Sequence, residues 1–227
     1  MNLAQLRKAS KSRLDDMSGK LLWTDDEIDY FIHQAINEAH IRARNLVDSS
    51  SNCALIDVIA GTHTYGMSPA IFYVDRVFDI GQGKALKKTG IDELDSCYGK
   101  WESVSGAIPT HYLEDLNHQG ANCEKGRSIR LYPIPTVNTQ LRLTVYRTQL
   151  RPLTDNEEPE LPSYQHADLI WWVLHLAYQK QDADTYNSKE ALACEQHFER
   201  AFGEKQSARL LEYRRKHRKM RVSGSYL

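Results

Sequence analysis

The 227 residues predict an α+β fold: a discontinuous helical domain from the N- and C-terminal segments, with an antiparallel β-rich domain inserted between them. Three observations carry this reading. Residues 24–47 hold a capping signal followed by apolar residues at helical spacing. Residues 141–146 alternate at strand spacing, and residues 161–178 return to a wide helical apolar face. Each terminal helical stretch alone has an incomplete core, and packing them together satisfies both stripes. The implied division is 1–50 with 161–220 as a helical assembly domain, 51–150 as the inserted β-rich domain, 151–160 as a connector and 221–227 as a flexible tail.

The elements follow in order. Leu3, Leu6, Leu14 and Met17 suggest a weak first helix ending near Gly19. Thr24 and Glu27, three residues apart, form a capping box, and Asp25 and Asp26 add negative charge at the positive end of the helix dipole. Behind them Ile28, Ile32, Ala35, Ile36, Ala39, Ala43, Leu46 and Val47 make an apolar stripe, with a polar stop at Asn45, Asp48, Ser49 and Ser50. Asp29, His33 and Asn37 lie off the stripe and face solvent or a partner.

The period then changes. Cys53 to Ala60 reads as a strand, and Ala70 to Ile80 as a second whose alternation falters at Val74-Asp75-Arg76, the signature of a bulge. Gly81-Gln82-Gly83 makes a turn. Tyr112 and Leu113 lie on another short strand, and the strand signals are cleanest at 128–132 and 141–146. Pro133 and Pro135 lack amide donors and stop the sheet between these two. Short connections without intervening helices argue against a doubly wound fold. After the acidic connector, a helix from Leu161-Pro162-Ser163 shows Ala167, Ile170, Trp171, Leu174 and Tyr178 on its inner face, widened by Trp172 and His175. Such width packs on two sides or meets another subunit. A further helix, 185–202, carries Ala191, Cys194, Phe198 and Ala201 and breaks at Gly203. A last one from Glu204 presents Ala208, Leu211 and Tyr213.

Composition narrows the function. A net charge of −1 excludes a chain that is basic throughout, and no run of 18 apolar residues exists to span a membrane. A chain of this length buries about two-thirds of its extended surface and needs no disulfide or metal staple. Cys53, Cys97, Cys123 and Cys194 contain no CxxC pair, so no zinc site is written. The histidines lack ligand spacing, no GxSxG nucleophile turn occurs, and Gly81-Gln82-Gly83-Lys84 is a turn that lacks the hydroxyl of a phosphate loop. His63 and Tyr65, in a polar turn, are the least poor seeds of a catalytic site. No enzyme activity and no cofactor are expected.

The strongest local signal is basic. Seven Lys or Arg residues between 209 and 221 (Arg209, Arg214, Arg215, Lys216, Arg218, Lys219 and Arg221) stand against Glu212 alone, a local charge of +6. Such a segment binds phosphate backbones with strong salt dependence, docks on an acidic protein surface, or remains a solvated helix end.

Three stretches together resemble the head–tail adaptor, or connector, proteins of tailed bacteriophages, most like those of short-tailed phages. They are Trp23-Thr24-Asp25-Asp26-Glu27 with Ile36-Asn37-Glu38-Ala39; Arg130-Leu131-Tyr132-Pro133-Ile134-Pro135 with Leu141 to Arg147; and Leu161-Pro162-Ser163-Tyr164 with Ala177-Tyr178, Asp182-Ala183-Asp184 and Asn187. The resemblance implies a virion protein of the head–tail junction, made in the bacterial cytoplasm. It would form a ring, usually of twelve copies, beneath the portal protein, continuing the DNA channel and presenting a surface to tail or nozzle proteins. It makes Arg209, Leu210, Leu211, Tyr213 and the basic residues through Arg221 candidates for portal docking or nonspecific contact with channel DNA. Ile28, Ile32, Ile36, Trp171, Trp172, Leu174 and Tyr178 become candidates for helix packing or subunit contacts. A DNA-binding accessory protein of virion assembly, using the same basic segment, is the alternative.

Overall fold

The computed structural model describes residues 1–14, 22–115, 127–181 and 186–205. In chain order the elements are α1 (Leu3–Arg13), α2 (Asp25–Ala43), β1 (Val47–Asp48), β2 (Leu55–Val58), β3 (Thr64–Gly66), β4 (Ile71–Asp79), β5 (Lys84–Ala85), β6 (Lys87–Lys88), α3 (Ile91–Cys97), β7 (Ser105–Gly106), β8 (His111–Asp115), β9 (Ser128–Tyr132), β10 (Ile134–Pro135), β11 (Thr139–Arg147), α4 (Leu169–Tyr178) and α5 (Ser188–Phe202). Helices from the two ends flank a central β-rich region, as the alternation of periods predicts. Two compact units result. One comprises Met1–Leu3 with Arg44–Ser163; the other comprises Ala4–Ala43 with the described residues from Tyr164 onward.

The helical unit starts from its caps. Thr24 Oγ1 accepts from the Glu27 amide at 3.2 Å and the Glu27 carboxylate accepts from the Thr24 amide at 2.9 Å, the reciprocal pairing of a capping box. Asn187 caps α5 by accepting from the Glu190 amide. Ile28, Ile32, Ala35, Ile36 and Ala39 are completely buried, and α4 adds Leu169, Ile170, Val173, Leu174 and Ala177. Phe198 of α5 is fully buried as well. Two details depart from the expected faces. Asp29 accepts a two-pronged bond from Arg7 of α1 (2.7 and 2.6 Å), so it ties α1 to α2. Ala167, expected inside, is exposed, because residues 163–168 wind as a tighter 3₁₀ helix that rotates it off the α4 face.

The stripe of α2 also stops early. The helix ends at Ala43, Arg44 takes a left-handed φ of 49°, and Val47–Asp48 pairs with Tyr146 and Val145 of β11. Leu46 and Val47 continue the helical period in sequence, but ladder bonds to a long strand outweigh one more helical turn.

In the β unit, β11 is the spine of a five-stranded sheet. It pairs with β4 along one edge and with β2 and β1 along the other, and β5 completes a hairpin on β4. The Gly81-Gln82-Gly83 turn closes that hairpin, with Gly83 at φ 64°. The bulge anticipated near Asp75 is present: Thr144 faces Arg76 and Val145 faces Val74. A four-stranded sheet runs β3-β9-β8-β6. The strands at 128–132 and 141–147 therefore belong to different sheets. The separator is Pro133: Ile134–Pro135 instead forms a short parallel ladder with Ser105–Gly106, using the amides of Ile134 and Thr136 and bypassing Pro135, which has none. β6 and β8 are also parallel, and α3 lies between them in the chain, so the region is not free of helix. The two sheets share a core of Ile56, Val58, Ile71, Val74, Val77, Tyr112, Ile129, Leu131, Leu141, Leu143 and Val145. Leu94 of α3 and Trp101 cover Leu113 and Tyr132 on the other side of the four-stranded sheet.

Candidate functional site

Among the described residues, several polar groups that could carry chemistry are engaged in structure. Tyr65 donates its hydroxyl proton to the Thr62 carbonyl (2.9 Å) and accepts from the Ile59 amide (3.0 Å). Burial pushes its ionisation up, opposite to what a base or nucleophile needs. His63, in the same turn, contributes its backbone carbonyl to the Leu131 amide. His111 sits 2.9 Å from the Thr110 hydroxyl, and burial holds its pKa down. His175 donates through Nδ1 to the Ala191 carbonyl at 2.8 Å, joining α4 to α5. Among the described residues no three His, Cys, Asp or Glu side chains are grouped to hold a metal. His118, Cys123, Asp182 and Asp184 lie outside the described residues.

The aromatic residues of α4 form the best-defined surface cluster. Trp171 stacks on His197 (4.4 Å between centroids, 18° between planes), and the Arg13 guanidinium sits 4.7 Å from its ring centre. Trp172 packs on His175 and Phe198, with Arg42 4.7 Å from its centroid. Arg42 is fixed in turn by Glu38 at 2.8 Å. Each indole is thus half-buried and held between elements of its own unit. Leu174 is buried and Tyr178 half-buried, while Ile28, Ile32 and Ile36 have no exposed surface. The basic segment, Arg209 to Arg221 with Leu210, Leu211 and Tyr213, lies outside the described residues.

One charged cluster carried no sequence signal. Arg147, at the end of β11, bonds Asp48 through Nε at 2.6 Å and Glu160 through both terminal nitrogens at 2.7 and 3.1 Å. Burial alone would raise the Asp48 pKa. Bonds from the Ser51 hydroxyl and amide, Arg147 and the Ser50 amide outweigh it and hold the carboxyl far below the usual range. Glu160 raises the pKa of Arg147. These residues sit where the chain enters and leaves the β unit. They bind structure, and Glu160 also lines an open cavity of about 360 Å³ with Gln149, Arg151, Glu157 and Glu158.

A family model described as SU10 adaptor protein matches residues 1–222. The chain belongs to that family. Its members are head–tail adaptors of tailed phages, so the protein is a structural component of the phage head–tail connection and not an enzyme. No curated protein matches the chain. Among the described residues no helix is long and apolar enough to cross a membrane.

Proposed function

We propose that this adaptor, from a short-tailed phage, docks on the portal ring, extends the DNA channel and offers the attachment surface for tail or nozzle proteins. The family match over nearly the whole chain is the observation that carries this reading. Twelve copies form the ring, each using one heterologous contact repeatedly so that rotation closes it. The helical segments supply the contacts between copies. Trp171, Trp172 and Tyr178 keep part of their surface open for a neighbour, while Ile28, Ile32, Ile36 and Leu174 hold the helices in register.

The segment 209–221 docks on the portal. Leu210, Leu211 and Tyr213 supply apolar anchors, and Arg209, Arg214, Arg215, Lys216, Arg218, Lys219 and Arg221 supply charge for an acidic surface. Native mass spectrometry of the protein mixed with portal rings from the same genome tests this. A discrete complex bearing a full ring of copies is expected, and deletion of 209–227 is expected to abolish it while leaving the fold intact. Portal rings that acquire no copies at low salt would refute the docking role. Unchanged binding by the truncated chain would refute the role of the tail. Arg214→Glu with Arg215→Glu should weaken the complex, and competition by free duplex should not, unless the segment serves DNA instead.

A further inference from the structure

Two bulges in β4 decide what the outer face of the five-stranded sheet displays. β11 runs without interruption, sending Leu141, Leu143 and Val145 into the core and Arg142, Thr144 and Tyr146 outward. Phe78 faces Arg142, Arg76 faces Thr144, and then Asp75 is skipped so that Tyr73 faces Tyr146. Tyr73 and Arg76 are an odd number of residues apart and would point to opposite faces of a regular strand. The extra residue brings both to the same side.

The result is a set of guanidinium groups seated on rings. Arg76 and Arg142 lie 4.6 and 5.3 Å from the centre of Phe78, and Arg44 lies 5.1 Å from Tyr73 and 6.0 Å from Tyr146. Among the described residues none of the three arginines has a carboxylate within ion-pair distance, and one terminal nitrogen of Arg44 is buried without a hydrogen-bond partner. Among the described residues the carboxylates of these strands near the arginines are Asp75 on the bulge and Asp57 on β2, and Gln140 Nε2 bonds the latter at 2.7 Å. Among the described residues the face carries three arginines against two aspartates, and its cations are oriented on rings without an ion-pair partner. Because guanidinium groups already cover the rings, the face offers N–H donors and not open ring surface. That suits phosphate oxygens and does not suit stacked bases. Arg142 and Tyr146 lie four positions apart on the strand, about 13 Å, a span that covers several phosphates of a duplex.

We propose that this sheet face binds the phosphate backbone of duplex DNA without sequence preference, as a site separate from the basic segment 209–221. Portal attachment plays no part in it, so the mass-spectrometric test above leaves it untouched. Fluorescence anisotropy with a random-sequence 20-base-pair duplex, full chain against Arg76→Gln/Arg142→Gln, reads it directly. Both side chains are exposed, so the variant is expected to melt with the wild type. Each phosphate contact contributes about 0.9 to the slope of log affinity against log salt, so the double variant should lose about 1.8 of that slope. The three arginines together account for about a 40-fold loss of affinity between 50 and 200 mM salt. The Arg→Lys pair should retain the slope, and the loss caused by Arg76→Gln/Arg142→Gln should be the same in a chain lacking 209–227. A Gln variant with the wild-type slope and affinity would overturn the proposal. So would a Gln variant that keeps DNA binding but loses self-association, since the face would then be a contact between copies.

Discussion

Replacing Arg147 with Met should destabilise the β unit more than any other single loss of charge in it. Met keeps the aliphatic bulk and removes the guanidinium. Asp48 and Arg147 each expose 7% of their side chains, so the variant leaves a carboxylate in low dielectric without its cation. Breaking a buried pair in this way costs about 3–5 kcal/mol. The lower end applies, because Ser50 and Ser51 still donate three hydrogen bonds to Asp48. Glu160 exposes 42% of its side chain and recovers water, so Glu160→Gln should cost less than about 1 kcal/mol. A loss of about 3 kcal/mol lowers the melting temperature by roughly 6–12 °C for a chain of this size. Calorimetry of wild type and variant at pH 7 measures it.

Asp48→Asn adds a pH signature. The folded pKa is depressed, so the charge contributes stability fully above the unfolded value of about 3.9 and loses it as pH falls through the lower folded value. The gap between wild type and Asp48→Asn should be constant from pH 8 to about pH 5 and shrink progressively below about pH 4. An Arg147→Met melting point within 1 °C of wild type, with an Asp48→Asn gap that ignores acid, would refute the view that this cluster is energetically coupled.

Three further outcomes are expected. Thr24→Ala removes the oxygen that accepts from the Glu27 amide and should cost about 1 kcal/mol, read as a lower chemical-denaturation midpoint at unchanged slope. Phe198→Ala empties the centre of the α2–α4–α5 packing and should cost about 3–5 kcal/mol, with loss of near-ultraviolet circular dichroism from the neighbouring Trp172. Gly106→Ala would place a methyl 2.7 Å from Pro133 Cγ, and relief of that overlap should cost about 1–3 kcal/mol by thermal melting.

The sequence reveals those parts of the fold that rest on local physics. The capping box at Thr24 and Glu27, the hairpin glycines at 81 and 83 and the bulge at Asp75 are each written in a few adjacent residues. Features that depend on distant partners are not. Leu46 and Val47 keep helical spacing, and only the edge of β11, a hundred residues later, makes a strand of Val47–Asp48. α3 spans seven residues, fewer than two full helical turns, and leaves no readable period. The parallel ladders at β6 and β10 are two residues long and depend on strands elsewhere. The tryptophans of α4 were legible as a wide face, but their cations Arg13 and Arg42 come from other helices. Arg147 reads only as the last residue of an alternating strand; Asp48 and Glu160 meet it through tertiary closure alone.

The same closure has an evolutionary consequence. Because Asp48 and Glu160 share one guanidinium, the polypeptide departs from the β unit close to where it arrived. A segment whose two ends lie side by side can be lengthened, trimmed or exchanged by recombination without rerouting the flanking helices. Residues 44–163 therefore form an excursion with adjoining ends, to which the chain adds only Met1–Leu3 from outside.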